Sequence, residues 1–375
     1  MLSELIRKIL REILTQMGAD TPVSVPFPNG RAAVDHSYCI LFHQITKLLR
    51  RRFFKFACAR FSQKKKINST HDRILWILVS APSLGDILMD VSPADLLADR
   101  HVDLYATNNT AAEFLASDPR FNCVFSEIND VKRKAQSLPY DLIYLDSFSV
   151  RSLRVAKRIQ PNCDLVSAFG YLNGFDVHRI LFAYSRLEYL LDLPSNVIPR
   201  TMCKRSLPEV PKKPKGKRIK VAIAVGGNWK FRDYQHWLSV VELLLGSPHN
   251  VTVVLLGSEN GKKASEVITG KFPGVYSYVG STSITETSSI LSQCDRLITV
   301  DSGLMHIGQY LGIPTIALFA DCQLFDDSGQ RVFRISPESS AKVLYDECDV
   351  SNIRSEDIYG VFNATLATAQ TADRA

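Results

Sequence analysis

A chain of 375 residues can hold two ordinary domains and an appendage. Its 46% hydrophobic and 22% charged residues exclude a disordered bulk, and no apolar run approaches the roughly 18 residues of a membrane span. The net charge of +7 is uneven: residues 1–70 carry 13 Lys/Arg against 4 Asp/Glu, and the other 305 carry 32 against 34, so the basic character belongs to an N-terminal extension.

Eight cysteines are scattered without a CxxC pair or a zinc-like Cys/His spacing, which fits a reducing compartment and no metal centre. The N-terminus interleaves charges with Leu and Ile and lacks the continuous apolar core of a signal peptide. The expected location is the cytoplasm.

In chain order, Leu2, Leu5, Ile6, Ile9, Leu10 and Ile13 mark a short amphipathic helix over 2–16. A Pro-rich loop over 21–35 follows. Over 40–61, Phe42, Ile45, Leu49, Phe53 and Phe56 share one helical face, and Lys47, Arg51 and Lys55 share another. Lys47–Lys66 holds nine basic residues and no acidic one. Residues 40–66 read either as an interfacial helix drawn to an anionic membrane surface or as a helix packed on the first domain with a solvated basic face. Nucleic acid is not an expected partner, because no stacking or groove-reading motif accompanies the charge.

From Arg73 strands and helices alternate. Strands are expected at Ile74–Val79, Val102–Ala106, Val124–Phe125, Leu142–Leu145 and Leu165–Ala168, with helices over Ile87–Leu97, Ala111–Ala116, Arg151–Arg158 and 175–192. This predicts a doubly wound α/β domain over 71–207. A Pro/Lys-rich linker at 208–218 separates it from a second α/β domain over 219–345.

There, strands are expected at Lys220–Val225, Val251–Leu256, Val275–Tyr278, Arg296–Val300 and Thr315–Phe319. Helices are expected over Trp237–Leu245, Lys262–Thr269, Ile284–Gln293 and Leu304–Leu311. Ser283 and Glu286 form a capping box, and Gly312 with Pro314 ends the last of these helices. A C-terminal helix and tail occupy 346–375. Two α/β halves joined by a hinge imply ligand binding beyond the carboxyl ends of the strands, in a cleft.

Four strand-end turns carry candidate chemistry. Ser80-Ala-Pro-Ser-Leu-Gly-Asp86 offers a close backbone approach at Gly85 and a carboxylate at Asp86, a residue that by position alone is more often a helix N-cap than a catalytic group. Gly226-Gly-Asn-Trp-Lys-Phe-Arg232 combines glycines, the Asn228 amide and two cations, Lys230 and Arg232, which suits an anion or simply a surface loop. Glu259 stands where a ribose diol could be held, or caps a helix. Asp301-Ser302-Gly303 opens a helix whose N-terminal N–H groups and dipole suit a phosphate. There is no GxGxxG, so a dinucleotide fingerprint is not supported. Together the turns favour a nucleotide-type ligand in the second domain.

The ordered blocks Gly280–Glu286, Cys294-Asp295, Val300-Asp-Ser-Gly-Leu-Met-His306, Leu311-Gly-Ile-Pro314 and Ala317-Leu-Phe319 resemble the run "SLxE…DLxxxxDSGxMHxAxALGxPxxALFG" of bacterial heptosyltransferases, glycosyltransferase family 9. Ser83-Leu-Gly-Asp86 is similar to the family's "SLGD", Leu256-Gly257 to its "LxG", and Cys348 with Ile353 to its terminal "CxxxI". The likeness spans about residues 73–366. The chain departs from the family at Arg232-Asp-Tyr-Gln235, where "KRWP" is usual, and in its basic extension.

The resemblance implies a GT-B fold, two Rossmann-like domains facing across a cleft, with acceptor on the first and nucleotide sugar on the second. It implies Asp86 as general base, Ser302 and Gly303 as backbone donors to the diphosphate with Asp301 shaping the turn, Arg232 or Lys230 in place of the family's phosphate-binding Lys, and Glu259 on the ribose. His306 matches the family His. The expected activity is inverting, metal-independent transfer from ADP-heptose, a substrate rather than a cofactor, to a lipopolysaccharide inner-core or related acceptor. The alternatives left open are another nucleotide sugar or a protein acceptor on the same fold, and a catalytically silent sugar-nucleotide binder or membrane-bound scaffold.

Overall fold

The computed structural model describes residues 62–64, 66–79, 81, 83–146, 149–167, 179–194, 218–227, 230–320, 335 and 341–372, with residues 5, 9, 46 and 49 besides. Apart from these last four, which are helical, the helices expected over 2–16 and 40–61 lie outside the described residues, as do 208–217 of the linker and Asn228. The chain divides into two compact units, Met1–Thr201 and Met202–Ala375.

Unit 1 holds six strands: β1 (Ser62–Gln63), β2 (Arg73–Leu78), β3 (His101–Ala106), β4 (Cys123–Phe125), β5 (Leu142–Leu145) and β6 (Asp164–Ser167). All pairings are parallel, in the order β1-β6-β5-β2-β3-β4. Its helices are α1 (Leu84–Asp90), α2 (Asn109–Leu115), α3 (Ile128–Ser137), α4 (Val150–Ile159) and α5 (Arg179–Leu190). A parallel sheet is covered on both faces, so its central strand is apolar at nearly every position. In β2, Leu75 and Ile77 join Val131 and Ala135 of α3 and Leu153, Ala156 and Ile159 of α4 in one core. Trp76, pointing the other way, packs on Tyr144 at 4.6 Å and edge-on to Phe121.

Unit 2 repeats the plan with β7 (Ile219–Ala224), β8 (Val251–Leu256), β9 (Tyr276–Ser277), β10 (Arg296–Val300), β11 (Thr315–Ala320) and β12 (Lys342–Asp346), in the order β12-β11-β10-β7-β8-β9 and again wholly parallel. The helices are α6 (Trp237–Leu245), α7 (Lys262–Lys271), α8 (Ile284–Ser292), α9 (Gly303–Tyr310) and α10 (Ser355–Ala372). Val221 and Ile223 of β7 share a core with Trp237, Val240 and Leu244 of α6 and Ile358 and Phe362 of α10. The expected capping box is formed: Ser283 Oγ accepts from Glu286 N, and the Glu286 carboxylate, its pKa lowered by the Ser283 backbone N–H and hydroxyl, accepts in return.

Several expectations are corrected. The helix expected over Ile87–Leu97 is two elements: α1 stops at Asp90, and Ser92–Leu97 is a 3-10 turn. Pro93 has no N–H to continue the α-ladder, and Ser92 Oγ donates instead to Met89 O at 2.6 Å. The strand expected at Val275–Tyr278 shrinks to Tyr276–Ser277, an exposed edge. Helix α3 was not expected, because its polar sequence buries only Val131 and Ala135. The short edge strands β1 and β12 also go unannounced. None of the four described cysteines, Cys123, Cys163, Cys294 and Cys348, is in a disulfide.

Candidate active site

In each sheet the strand order reverses beside the first strand of the doubly wound plan, at β2/β5 in unit 1 and at β7/β10 in unit 2. The turns leaving these strands splay apart there, which is where open α/β sheets bind ligands.

In unit 1 the turn after β2 delivers Ser83 as the N-cap of α1, its Oγ accepting from Asp86 N at 3.2 Å. The cap is therefore Ser83, and the N-cap reading of Asp86 fails. Asp86 lies in the first turn of α1, and its Oδ2 accepts from the Ser83 hydroxyl at 2.8 Å. Its Oδ1 accepts from Arg179 Nη1 of α5 at 2.9 Å. Arg179 also grips Asp90, one turn further along α1, through Nε at 2.7 Å and Nη2 at 2.6 Å. Gly85 is buried within α1.

The turn after β5 adds Asp146. Its Oδ2 accepts from Val79 N at 2.9 Å and its Oδ1 from Ser152 Oγ of α4 at 3.0 Å, which ties the two turns together. Three carboxylates thus converge near one guanidinium. Burial pushes the Asp90 carboxyl up to about 6; Arg179 pulls the other way, and Asp86 and Asp146 add to the rise. Burial opposes the Arg179 charge, but Asp90, then Asp86 and Asp146, raise its pKa further above its already high value. The sequence reading missed Arg179 and Asp90. The signal for Asp90 was its i, i+4 spacing from Asp86, which puts both carboxylates on one helix face; Arg179 had none.

In unit 2 the turn after β7 is built by close approach. Gly226 has φ +88°, and a Cβ there would stand 2.8 Å from Gly261 N and from Asn260 Oδ1. Cβ atoms at Gly257 and Gly261 would lie 2.5 and 2.6 Å from Val225 O. The end of β7 is therefore seated against the turn after β8 with no room for side chains. Arg232 follows on a 3-10 turn, Lys230–Arg232, and its Nη2 lies 3.2 Å from Asp301 Oδ2, with both side chains largely buried. Lys230 is exposed.

Behind this turn Tyr234, buried against Trp237 at 4.8 Å, sends its hydroxyl to Ile353 O at 3.0 Å, so an aromatic anchor stands where the family's Trp-Pro is absent.

After β10, Ser302 caps α9, its Oγ facing Met305 N at 3.4 Å and Thr299 Oγ1 at 3.1 Å. Gly303 is the first helical residue. Gly308 lets α9 lie close on β10: a Cβ there would be 2.5 Å from Leu297 Cδ2. His306 is buried one turn into α9. Glu259 is exposed and pairs with Lys262 at 2.8 Å; a Cβ on Gly280 would stand 2.8 Å from Glu259 Oε1, which puts the carboxylate beside the turn after β9. The structure thus brings together Arg232, Asp301, Ser302 and Gly303, and it places Glu259 on the neighbouring turns with Gly226 and Gly261.

Residues 176–324 match the model of glycosyltransferase family 9 (heptosyltransferase). The similarity to family 9 is confined to that segment, which covers less than half of the chain.

Three solved structures share its fold. A family 9 glycosyl transferase from Veillonella parvula matches 79% of this chain and 97% of its own at 15% identity and TM-score 0.62. Escherichia coli ADP-heptose lps heptosyltransferase II matches 80% and 99% at 19% identity and TM-score 0.59. E. coli heptosyltransferase WaaC with ADP matches 78% and 99% at 14% identity and TM-score 0.60. At such identities the likeness is one of fold, with two Rossmann-like units as in GT-B proteins. No curated protein sequence matches the chain. The segment that matches the family model runs from just before Arg179 to just after β11, so it includes the turns of Gly226, Arg232, Glu259 and Ser302.

Proposed function

We propose that this chain is a family 9 glycosyltransferase that moves a heptose from ADP-heptose to a lipopolysaccharide inner-core or related surface-glycan acceptor, with inversion at the anomeric carbon and without a metal. The observation that carries the reading is the Ser302-capped start of α9 beside Arg232, at the strand-order reversal of unit 2 and inside the family 9 segment. Backbone N–H groups at a helix start and a nearby guanidinium are the groups a leaving diphosphate needs. Asp301 positions Arg232 for it. Lys230 adds a mobile cation, and Glu259 holds the ribose diol.

On unit 1, Asp86 accepts the proton of the acceptor hydroxyl as that oxygen bonds to the anomeric carbon. The bond from that carbon to the diphosphate oxygen breaks in the same step, and ADP leaves with the electron pair. A single displacement inverts the centre. Ser83 and Arg179 hold the Asp86 carboxylate in one orientation.

Thermal-shift binding against a panel of nucleotide sugars, followed by transfer assays, tests the reading. ADP-heptose is expected to give the largest shift. Asp86→Asn is expected to slow transfer by about a hundred- to ten-thousandfold while leaving the ADP-heptose shift unchanged. A larger shift with another nucleotide sugar would reassign the donor, and unimpaired transfer by the variant would remove the base from Asp86. Binding of ADP-heptose without turnover on any acceptor would favour the silent binder.

A further inference from the structure

The face of unit 1 that carries α3 and α4 has a chemistry the transfer reaction does not use. Both helices bury one side against β2 and β5. Between them α3 and α4 hold seven Lys/Arg and one carboxylate, Asp130. Asp130 neutralises Arg133, and the buried Asp103 holds Lys134 at 3.0 Å. Lys132, Arg151, Lys157 and Arg158 are exposed, and no ion pair among the described residues engages them. A solvated helix face more often alternates charge along its length.

The cations border an open groove of about 540 Å³ between the two helices. Ile128, Ala135 and Ile159 give it an apolar floor, and Lys132, Lys157 and Arg158 rim it. No aromatic side chain lines it, which disfavours a single-stranded nucleic acid that would need a stacking platform.

A second observation points to the same edge. Gln160 and Pro161 also line the groove, and they lead into β6, where Asp164 pairs in parallel register with Ser62 of β1. Strand β1 therefore begins close to this edge. The residues immediately before β1, 47–61, include six Lys/Arg and no carboxylate. The sequence of that segment leads directly into β1.

We propose that the α3–α4 face of unit 1 is a docking surface for the anionic headgroup layer of a lipid bilayer, with Lys132, Lys157 and Arg158 contacting lipid phosphates over the apolar floor. The proposal does not depend on the transfer reaction, because it concerns a surface that shares no residue with the candidate active site. Each cation close to an anionic leaflet strengthens binding by about fivefold.

Cosedimentation of the full chain with phosphatidylcholine vesicles, with and without phosphatidylglycerol, tests it. The wild-type chain is expected to bind only the vesicles containing phosphatidylglycerol and to be released by salt. The triple variant Lys132→Glu, Lys157→Glu, Arg158→Glu is expected to bind at least about tenfold more weakly. All three side chains are exposed, so its thermal unfolding should match the wild type. Wild-type-like vesicle binding by the variant would overturn the proposal, since the basic segment before β1 would then suffice. Equal binding to neutral vesicles would overturn it too, as would a loss of vesicle binding in the presence of glycerol phosphate at millimolar concentration, which would mean a soluble phosphate site.

Discussion

The two units solve one structural problem with different chemistry. In each, a buried aspartate directly follows the strand at the order reversal, Asp146 after β5 and Asp301 after β10, and in each a serine caps the next helix, Ser149 or Ser302. In each, the aspartate reaches across to the turn after the first strand. Asp146 accepts from a backbone N–H, Val79 N, and the turn it steadies presents Asp86 and Asp90. Asp301 meets a side-chain cation, Arg232, on a turn stripped to glycine where it touches its neighbour. One tether leaves an acidic turn and the other a basic one. A shared scaffold therefore settles where the turns stand, while the residues on them decide whether a carboxylate or an anion site results.

If Arg179 is what makes the acidic turn tolerable, removing it should hurt unit 1 and spare unit 2. Arg179→Gln leaves Asp86 and Asp90 packed together without their cation. Because about a third of the Arg179 side chain is open to solvent, the loss is set below that of a fully buried pair, at about 2–3 kcal/mol. Hydrogen exchange should show α1 and α5 opening more readily and α9 unchanged. Equal loosening of α9 would mean that the two turns do not behave as separate constructions. Arg179→Lys should recover part of the stability but not the three-point grip on two carboxylates.

A smaller effect separates the carboxylates from one another. The folded pKa of Asp90, about 6, lies above the ordinary 3.8, so the native state holds that proton more tightly than the unfolded chain does. Keeping Asp90 ionised costs stability above about pH 6, and the cost is relieved as pH falls through that value toward 4. Protection of α1 against exchange should therefore rise across this window in the wild-type chain. In Asp90→Asn the step should vanish. Persistence of the same step in the variant would place the titrating proton on another group.

Much of this was readable in the residues. Strands β2, β7, β8, β10 and β11 announced themselves as continuous apolar runs, because a strand buried on both faces has no polar side to confuse the pattern. The Ser283–Glu286 box and the Gly312 stop were local and held. What escaped was non-local. Helix α3 gains its place from two small buried contacts rather than from a strong apolar stripe. Arg179 stands 93 positions from Asp86, and no spacing rule links them. Arg232 was chosen as a candidate anion ligand from its turn, but its partner Asp301 lies on the far side of β8, β9 and β10 in sequence, and only the order reversal makes them neighbours.

The mildest test bears on the basic turn. Ser302→Ala removes the hydroxyl that caps α9 and leaves Gly303, Arg232 and Asp301 in place, so unit 2 should lose about 1 kcal/mol and keep its fold. Its effect on function separates two roles for this helix start. If α9 binds the diphosphate through its first backbone N–H groups, the variant frays those groups and the ADP-heptose thermal shift should shrink several-fold. The shift should recover in Ser302→Thr, which restores a capping oxygen, and Ser302→Asp should restore the cap without restoring binding, because its charge repels the diphosphate. If Ser302 only caps, all three variants should bind the donor alike once their stabilities are matched. That result would move the diphosphate away from α9 and onto the glycine turn of Gly226.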